Sequence, residues 1–210
     1  MFKKFAALAA AAALSLGVMT GCGVSGTTAD STGYSAENPL VLTLAHGLSE
    51  THTVHIAMTQ FADEVAEKTD GRIRVKIFPN GQLGSENENL EQLQAGVIAM
   101  TKVSAPGLAT YNDAFNTFGL PYIFNDTDDF YHVMDSQEMQ DFFLSTGDDG
   151  FVTLTYYTSG ARSFYTKDRA IRTPADLKGL KIRVQDMKSQ TDMMTYLGGI
   201  PVAMSYGDVY

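Results

Sequence analysis

The sequence predicts an α/β protein built around a parallel sheet. Three strand-like runs, at residues 40–45, 72–78 and 97–103, alternate with two amphipathic helical patterns. Connections of that kind between successive strands favour parallel strands joined by helical crossovers. In such sheets a ligand binds beyond the carboxyl ends of the strands. His46 and Ser104 each come just after a strand-like run, so both are candidate pocket residues.

The composition excludes nucleic acid as a partner but leaves small anionic ligands open. The 210 residues carry a formal net charge of −9, whereas nucleic-acid binding needs a basic surface. A single arginine can still bind a small anion, because salt screens acidic groups that lie more than about 8–10 Å away. The one cysteine excludes an internal disulfide bond.

Residues 1–22 are typical of a lipoprotein signal peptide. Two lysines precede a short apolar run, which ends in the sequence Met19-Thr20-Gly21-Cys22. This ending resembles a lipobox, whose cysteine receives lipid and becomes the new N-terminus, although leucine is more usual than Met19. We expect a lipid anchor at Cys22; the alternative is a soluble secreted protein with an incidental cysteine. Residues 23–38, rich in Gly, Ser and Thr, are expected to form a flexible tether.

The first elements follow from apolar periodicity. Leu40–Ala45 is apolar almost throughout, as in a strand buried on both faces. The helix that follows has about four turns, ends by Gly71, and places four apolar residues at helical spacing: Val54, Met58, Phe61 and Val65. Residues 72–78 then alternate between apolar and basic side chains, which indicates a strand. Ser85 and Glu88 form a capping box that predicts the start of the second helix.

The middle of the chain is less regular. Residues 111–124 are rich in aromatic side chains and interrupted by glycine and proline, so we expect an irregular segment packed on the core. Two helices should begin near Asp126 and Ser136, which suit the N-cap position. Further strands are predicted at 151–157 and 163–166.

The stretch from Thr173 to Met187 predicts a short helix followed by a strand. Thr173 suits the N-cap of the helix, and Gly179 suits the left-handed position that ends it. Residues 180–184 alternate as a strand with one buried face. Arg183, near the end of this strand, holds a planar fork of donors that suits a carboxylate. The alternative is an ordinary exposed arginine on a solvent-facing strand surface.

The last segment repeats the order of helix and strand. Ser189 is expected to cap a helix that runs to Leu197, and residues 200–204 to form a short strand. Residues 205–208, with the sequence S-Y-G-D, form a further capping box. A capping box marks the start of a helix, but only two residues follow this one in the sequence. We therefore expect the sequence to be part of a longer protein.

Five motifs occur in an order and spacing shared with one family. They are L-A-H at 44–46, G-R-I-R-V-K-I-F-P-N-G-Q-L-G at 71–84, L-P-Y at 120–122, T-P-A-D-L-K-G-L-K-I-R-V at 173–184 and S-Y-G-D-V-Y at 205–210. Through these motifs the chain resembles the extracytoplasmic solute-binding subunits of TRAP transporters, the C4-dicarboxylate-binding family. The resemblance covers nearly all of residues 40–210.

The resemblance implies a two-lobed α/β fold, the class II-like clamshell of periplasmic binding proteins. The first lobe would span residues 39–160, and residues 161–210 would begin a second lobe that is incomplete here. The implied function is that of a receptor, not an enzyme, with no cofactor or metal. It would capture an organic acid, such as a C4-dicarboxylate, in the periplasm or at the outer face of the cytoplasmic membrane. A TRAP-type permease driven by an ion gradient would then take the acid up.

The resemblance also assigns ligand-binding roles to five residues. The arginine that pairs with the ligand carboxylate in this family falls on Arg183, and a second pocket arginine falls on Arg162. The polar position after the first strand falls on His46, and the position after the third strand falls on Ser104. An aromatic position in the closing motif falls on Tyr206.

Other functions remain open at this point. They are the receptor of an ATP-driven importer, a ligand-sensing lipoprotein without a transport role, a structural lipoprotein and an enzyme. A serine hydrolase is disfavoured, because the sequence contains no Gly-x-Ser-x-Gly and its one cysteine lies in the lipobox. His52 and His55 have no acidic or cysteine partner at metal-binding spacing, so we expect structural roles for them.

Overall fold

The computed structural model describes residues 33–158, 160–204 and 206–209, and it contains two parallel sheets. The larger sheet has the order β2-β1-β3 and is formed by β1 (Leu40–Ala45), β2 (Ile73–Phe78) and β3 (Met100–Thr101). The smaller sheet pairs β4 (Lys181–Val184) with β5 (Ile200–Ala203). The parallel α/β class is therefore confirmed. The predicted signal peptide, Cys22 and most of the predicted tether lie outside the described residues.

Five α-helices connect and flank these strands within the described part of the chain. They are α1 (Thr53–Lys68), α2 (Glu86–Gln94), α3 (Thr127–Met134), α4 (Gln137–Ser145) and α5 (Lys188–Tyr196). Short 3-10 helices occupy Ala105–Thr110, Asp113–Gly119, Thr146–Asp149, Pro174–Leu177 and Tyr206–Asp208. Among the described residues, none of the helices is long and apolar enough to cross a membrane.

Side-chain caps at the helix N-termini explain why sequence patterns predicted where these helices begin. The predicted capping box is present, because Ser85 N–H donates to Glu88 Oε2 at 2.7 Å and Glu88 N–H donates to Ser85 Oγ at 3.3 Å. Asp126 and Ser136 accept from the backbone N–H three residues later, at 2.9 and 3.2 Å. Each cap pairs a donor that the first helical turn leaves without an intrahelical partner. His52 does the same for α1, accepting from Val54 N–H.

Three apolar clusters hold the described residues together. One lies between β1 and α1 and is centred on Leu44, Val54 and Met58. The second combines α2 with the aromatic segment, through Leu90, Leu108, Phe115 and Phe151. The third packs α5 on the smaller sheet, through Leu177, Val184 and Met194. Each sheet therefore has its own buried contacts.

Several predicted strands differ from the structure. Residues 151–157 and 163–166 form no strand, because no described strand lies beside them to complete a hydrogen-bonded ladder. Instead, Phe151 is buried in the second apolar cluster, with Leu90, Leu108 and Phe115. The predicted strand at 97–103 contracts to β3, since Val97 N–H still bonds to Gln92 O in the turn that ends α2. The prediction that β1 is buried on both faces was also wrong at the start of the strand, where Val41 is 52% exposed.

The predicted cap at Ser189 was wrong. The helix α5 begins at Lys188, and the backbone oxygen of Met187 already accepts from Gln190 and Thr191, so Ser189 lies inside the first turn. The predicted helix after Thr173 is confirmed as the short 3-10 helix at Pro174–Leu177. The predicted left-handed stop at Gly179 is also confirmed, with φ +74°. Ser205, the start of the last predicted capping box, lies outside the described residues.

Candidate ligand-binding site

Ser104 lies at the centre of the candidate site. It follows β3 and occupies the N-cap position of the 3-10 helix Ala105–Thr110. Its backbone N–H donates to Glu86 Oε2 at 3.0 Å and its Oγ donates to Glu86 Oε1 at 3.3 Å. The same Oγ accepts from Gln185 Nε2 at 2.7 Å. Because Gln185 directly follows β4, this contact joins the carboxyl ends of the two sheets, where the parallel-sheet rule places a ligand.

Arg162 extends this contact into a continuous chain of hydrogen bonds. Its Nη1 donates to Gln185 Oε1, so the chain runs from Arg162 through Gln185 and Ser104 to Glu86. The pKa of Arg162 is lowered, first by partial removal of its guanidinium from water and then by the positive charge of Arg183. Glu86 acts in the opposite direction and raises it. The structure therefore places both predicted arginines within electrostatic reach of each other.

Arg183 is half-buried and oriented by the smaller sheet. It lies opposite Val202 in the register of β4 and β5. Its Nε and Nη2 donate to the backbone oxygen of Met204 at 3.0 and 2.8 Å. A guanidinium has five N–H donors, so the contacts among described residues engage two of them. A rigid strand and a carbonyl anchor thus hold the planar group in one orientation, which is the requirement for bidentate carboxylate binding.

Lys102 and Glu86 form a local ion pair within the site. Lys102 Nζ lies 3.1 Å from Glu86 Oε1, and the two side chains are 20% and 27% exposed. Their charges cancel, so the net positive charge of this group of residues comes from Arg162 and Arg183. Two neighbouring guanidinium groups repel each other unless an anion lies between them. A positively charged arrangement of this kind suits an anionic group. Among the described residues, no group of acidic, histidine or cysteine side chains is placed to hold a metal ion.

His46 is fully buried, and its hydrogen bonds fix its protonation. Leu48 N–H donates to His46 Nδ1 at 3.1 Å, so the ring proton belongs on Nε2, which donates to His55 Nδ1 at 3.0 Å. Burial, followed by the nearby His55, Lys102 and His52, lowers the pKa of His46 to about 4. In this structure the side chain has no surface open to a ligand. Its predicted ligand contact stays a prediction.

The buried neutral His46 should make stability depend on pH. Its pKa is about 4 in the folded protein against 6.5 for an ordinary histidine, so the unfolded chain binds more protons between these values. Stability should therefore fall as the pH is lowered through this window, by up to about 1.4 kcal/mol per pH unit. Urea unfolding at pH 7, 6, 5 and 4 measures the effect. The variant His46→Gln lacks this titration and should show a shallower slope; an unchanged slope would contradict the assignment.

Tyr206 lies in the short 3-10 helix Tyr206–Asp208 that follows β5. It is 43% exposed and two residues beyond Met204, the residue whose backbone oxygen orients Arg183. This places Tyr206 near the carboxyl end of the smaller sheet in sequence, and its predicted ligand contact stays a prediction.

Three residues of the site were not predicted from the sequence. Glu86 looked like one of several acidic residues in the first turn of α2, and Lys102 like an ordinary strand residue. Gln185 follows the motif at 173–184 that contains Arg183, but no sequence pattern marked Gln185 itself as a site residue. Each is recognised through contacts between distant parts of the chain, with separations of 16–81 residues. A polar residue directly after a predicted parallel strand, as Gln185 is, was the one available signal.

Two parallel sheets joined at their carboxyl ends by a polar site are the arrangement of a two-lobed α/β solute-binding protein. The sequence pattern of the DctP family, described as bacterial extracellular solute-binding protein, family 7, matches residues 44–210. The chain belongs to this family, as its motifs predicted. It is similar to the uncharacterized protein YiiZ of Salmonella typhimurium, with 39% identity over 178 residues, 84% of this chain and 54% of that relative.

Two further proteins show the range of this similarity. The C4-dicarboxylate-binding periplasmic protein DctP of Rhodobacter capsulatus is 30% identical over 177 residues, 82% of this chain and 52% of that protein. A TRAP periplasmic solute-binding protein of Anaerococcus prevotii, solved with bound D-glucuronate, is 35% identical with a TM-score of 0.77. That similarity covers 81% of this chain and 56% of the solved chain. The chain spans about half the length of the curated relatives it matches.

Proposed function

We propose that the protein is an extracytoplasmic receptor that binds an organic acid and delivers it to a TRAP-type permease driven by an ion gradient. The observation that carries the proposal is the pair formed by Arg162 and Arg183. Arg162 bonds to Gln185, which directly follows the strand that carries Arg183, and the charge of Arg183 lowers the pKa of Arg162. Membership of the family favours a TRAP permease over an ATP-driven importer as the partner.

Arg183 would bind the ligand carboxylate through two parallel hydrogen bonds. A carboxylate that leaves water needs a geometrically matched cation, and guanidinium supplies one that is charged at every physiological pH. Arg162 would also interact with the ligand carboxylate. The negative charge of the carboxylate would then reduce the repulsion between Arg162 and Arg183. Ser104 and Tyr206 are proposed to contact the remainder of the acid, and the buried His46 is proposed to support the site from the end of β1.

Ligand binding would favour closure of the two lobes, proposed at residues 39–160 and 161–210. A ligand shifts such an equilibrium only by its differential affinity for the closed and open states. The bond between Ser104 and Gln185 joins the two proposed lobes directly, so a ligand held by residues from both would add to an existing contact.

The proposed location is outside the cytoplasmic membrane, with a lipid anchor at Cys22. The family is extracellular, and the N-terminal sequence has the charged start, apolar run and cysteine of a lipoprotein signal. The anchor would hold the receptor near its permease. The protein itself is not proposed to catalyse a reaction.

A thermal-shift screen of the full-length protein against organic acids tests this proposal. The panel should include uronic acids and C4-dicarboxylates, because similar proteins are named for both. A ligand at about one hundred times its dissociation constant should stabilise the folded state by about 2.7 kcal/mol, which raises the melting temperature measurably. If the folded protein responds to none of the acids, the receptor assignment fails.

A further inference from the structure

We infer that the contact between the start of α5 and the 3-10 helix Asp113–Gly119 opposes closure of the empty receptor, so that the lobes stay together only when a ligand joins them. The contact is formed by the side chains of Ser189 and Gln190 and the backbone of Gly119. The inference rests on the proposed function, since it concerns closure of the two proposed lobes. It adds a conformational device that lies outside the predicted ligand-binding residues.

This contact joins the two proposed lobes beside the candidate site. Gln190 Nε2 donates to the backbone oxygen of Gly119 at 3.3 Å. Next to it, a Cβ built on Gly107 would lie 3.5 Å from the terminal methyl group of Met187, so the start of α5 packs closely on the 3-10 helix Ala105–Thr110 as well. None of these four residues is predicted to bind the ligand. The contact therefore acts on closure and not on ligand recognition.

The hydroxyl group of Ser189 is the unfavourable part of the contact. Ser189 Oγ is buried, and it has no hydrogen-bond partner among the described residues. A buried hydroxyl group has lost its hydrogen bonds to water, which costs free energy when no protein partner replaces them. Water reaches the hydroxyl group again when the lobes separate. The closed arrangement therefore has an unfavourable contribution that the open arrangement lacks.

Gly119 allows the two elements to approach this closely. A Cβ at this position would lie 2.8 Å from Ser189 Oγ and 3.3 Å from Pro106 Cγ. Both distances are shorter than the separation of about 3.5–4.0 Å that is optimal for non-bonded carbon atoms. Gly119 is not among the glycines with positive φ, so its backbone conformation is open to alanine. Alanine at this position would therefore disturb the contact without straining the backbone.

Two substitutions test the inference in opposite directions. Ser189→Ala removes the buried hydroxyl group and should tighten the binding of every acid that the wild type binds by about fivefold or more, because a larger fraction of the empty receptor is closed. Gly119→Ala should weaken the same affinities by about fivefold or more, because its methyl group crowds the closed contact. Neither should change the order of the acids. Calorimetric titration of the full-length protein with the acids of the thermal-shift panel measures both effects.

Two further variants separate the contact from general damage to α5. Lys188→Ala changes the same helical turn, but this side chain is 85% exposed, so the affinity should stay within about twofold of the wild type. The double variant Gly119→Ala/Ser189→Ala removes the hydroxyl group that the new methyl group would meet. It should bind more tightly than Gly119→Ala alone, which shows that the two residues are coupled. Urea unfolding of each variant shows whether it is folded.

The closed fraction of the receptor is measurable without any ligand. Dyes attached through Lys68→Cys and Lys181→Cys label one exposed position in each proposed lobe of a full-length protein that also carries Cys22→Ser. Single-molecule energy transfer should find this protein mostly open when it is empty. Adding Ser189→Ala should raise the ratio of closed to open molecules by about fivefold or more.

The outcomes distinguish this inference from the proposed function. If folded Ser189→Ala keeps the affinity and the closed fraction of the wild type, the inference is overturned and the receptor function stands. An empty wild type that is mostly closed, or a variant that changes the order of the acids, would also overturn it. If the wild type binds no acid, the receptor function fails, and the energy-transfer measurement on the empty protein still decides the inference.

Discussion

Replacing Arg183 with alanine in the full-length protein should weaken ligand binding by roughly 3–5 kcal/mol, a factor of about one hundred to several thousand in the dissociation constant. The variant removes the guanidinium that is oriented by the backbone oxygen of Met204. The ligand carboxylate would then lie in a partly desolvated site with no matched cation, while Arg162 would retain only part of the attraction. Isothermal titration calorimetry with the best acid from the thermal-shift screen measures the loss.

Lys181 provides a matched control for this substitution. It lies two residues before Arg183 on β4, on the same face of the strand, and its side chain is exposed. Lys181→Ala should therefore leave the affinity within about twofold, because exposed charges contribute little. Arg183→Lys should recover only part of the binding, since an ammonium group cannot form the bidentate pair. Equal affinity of Arg183→Ala and the wild type would remove Arg183 from the site.

Replacing Phe115 with alanine should lower the free energy of unfolding by about 3–5 kcal/mol. Phe115 is 1% exposed and contacts the rings of Phe118, Phe142 and Phe151 at centroid distances of 5.0–6.5 Å. Truncation would leave a cavity that these large neighbours can only partly fill. Because a domain is typically stable by only about 5–15 kcal/mol, the loss should be large in urea unfolding.

The control for Phe115 is an aromatic residue outside the core. Tyr196, at the end of α5, is 89% exposed, and Tyr196→Ala should change stability by about 0.5 kcal/mol or less. A loss below about 1 kcal/mol for Phe115→Ala would contradict the view that the aromatic segment forms the core of this part of the molecule. The result also bears on the site, because the buried Leu108 of this cluster belongs to the 3-10 helix that Ser104 begins.

Elements with strong local patterns were predictable from the sequence. The reciprocal cap of Ser85 and Glu88, and the alternation in β2, involve residues close together in the chain. The predicted strand at 151–157 also alternates, but a strand needs a neighbour, and local pattern cannot show whether one is present. For the same reason Ser189 could not be excluded as a cap, since the start of α5 depends on the turn before it.

The candidate site was predictable only in part. Strand ends and family motifs identified Arg183, Arg162 and Ser104, which the structure brings into one electrostatic and hydrogen-bonded group. Glu86 could not be recognised as a site residue, because acidic residues are common in the first turn of any helix. Its contact with Ser104 depends on how α2 packs beside β3, which side-chain pattern does not specify.

The most direct test of the central claim compares the best acid from the screen with its uncharged amide. The two ligands share their size and hydroxyl groups, and they differ in the negative charge that Arg183 and Arg162 are proposed to bind. Calorimetry on the full-length protein should find the acid bound and the amide weaker by about a hundredfold or more. Similar affinity for the acid and the amide would contradict carboxylate recognition by the two arginines.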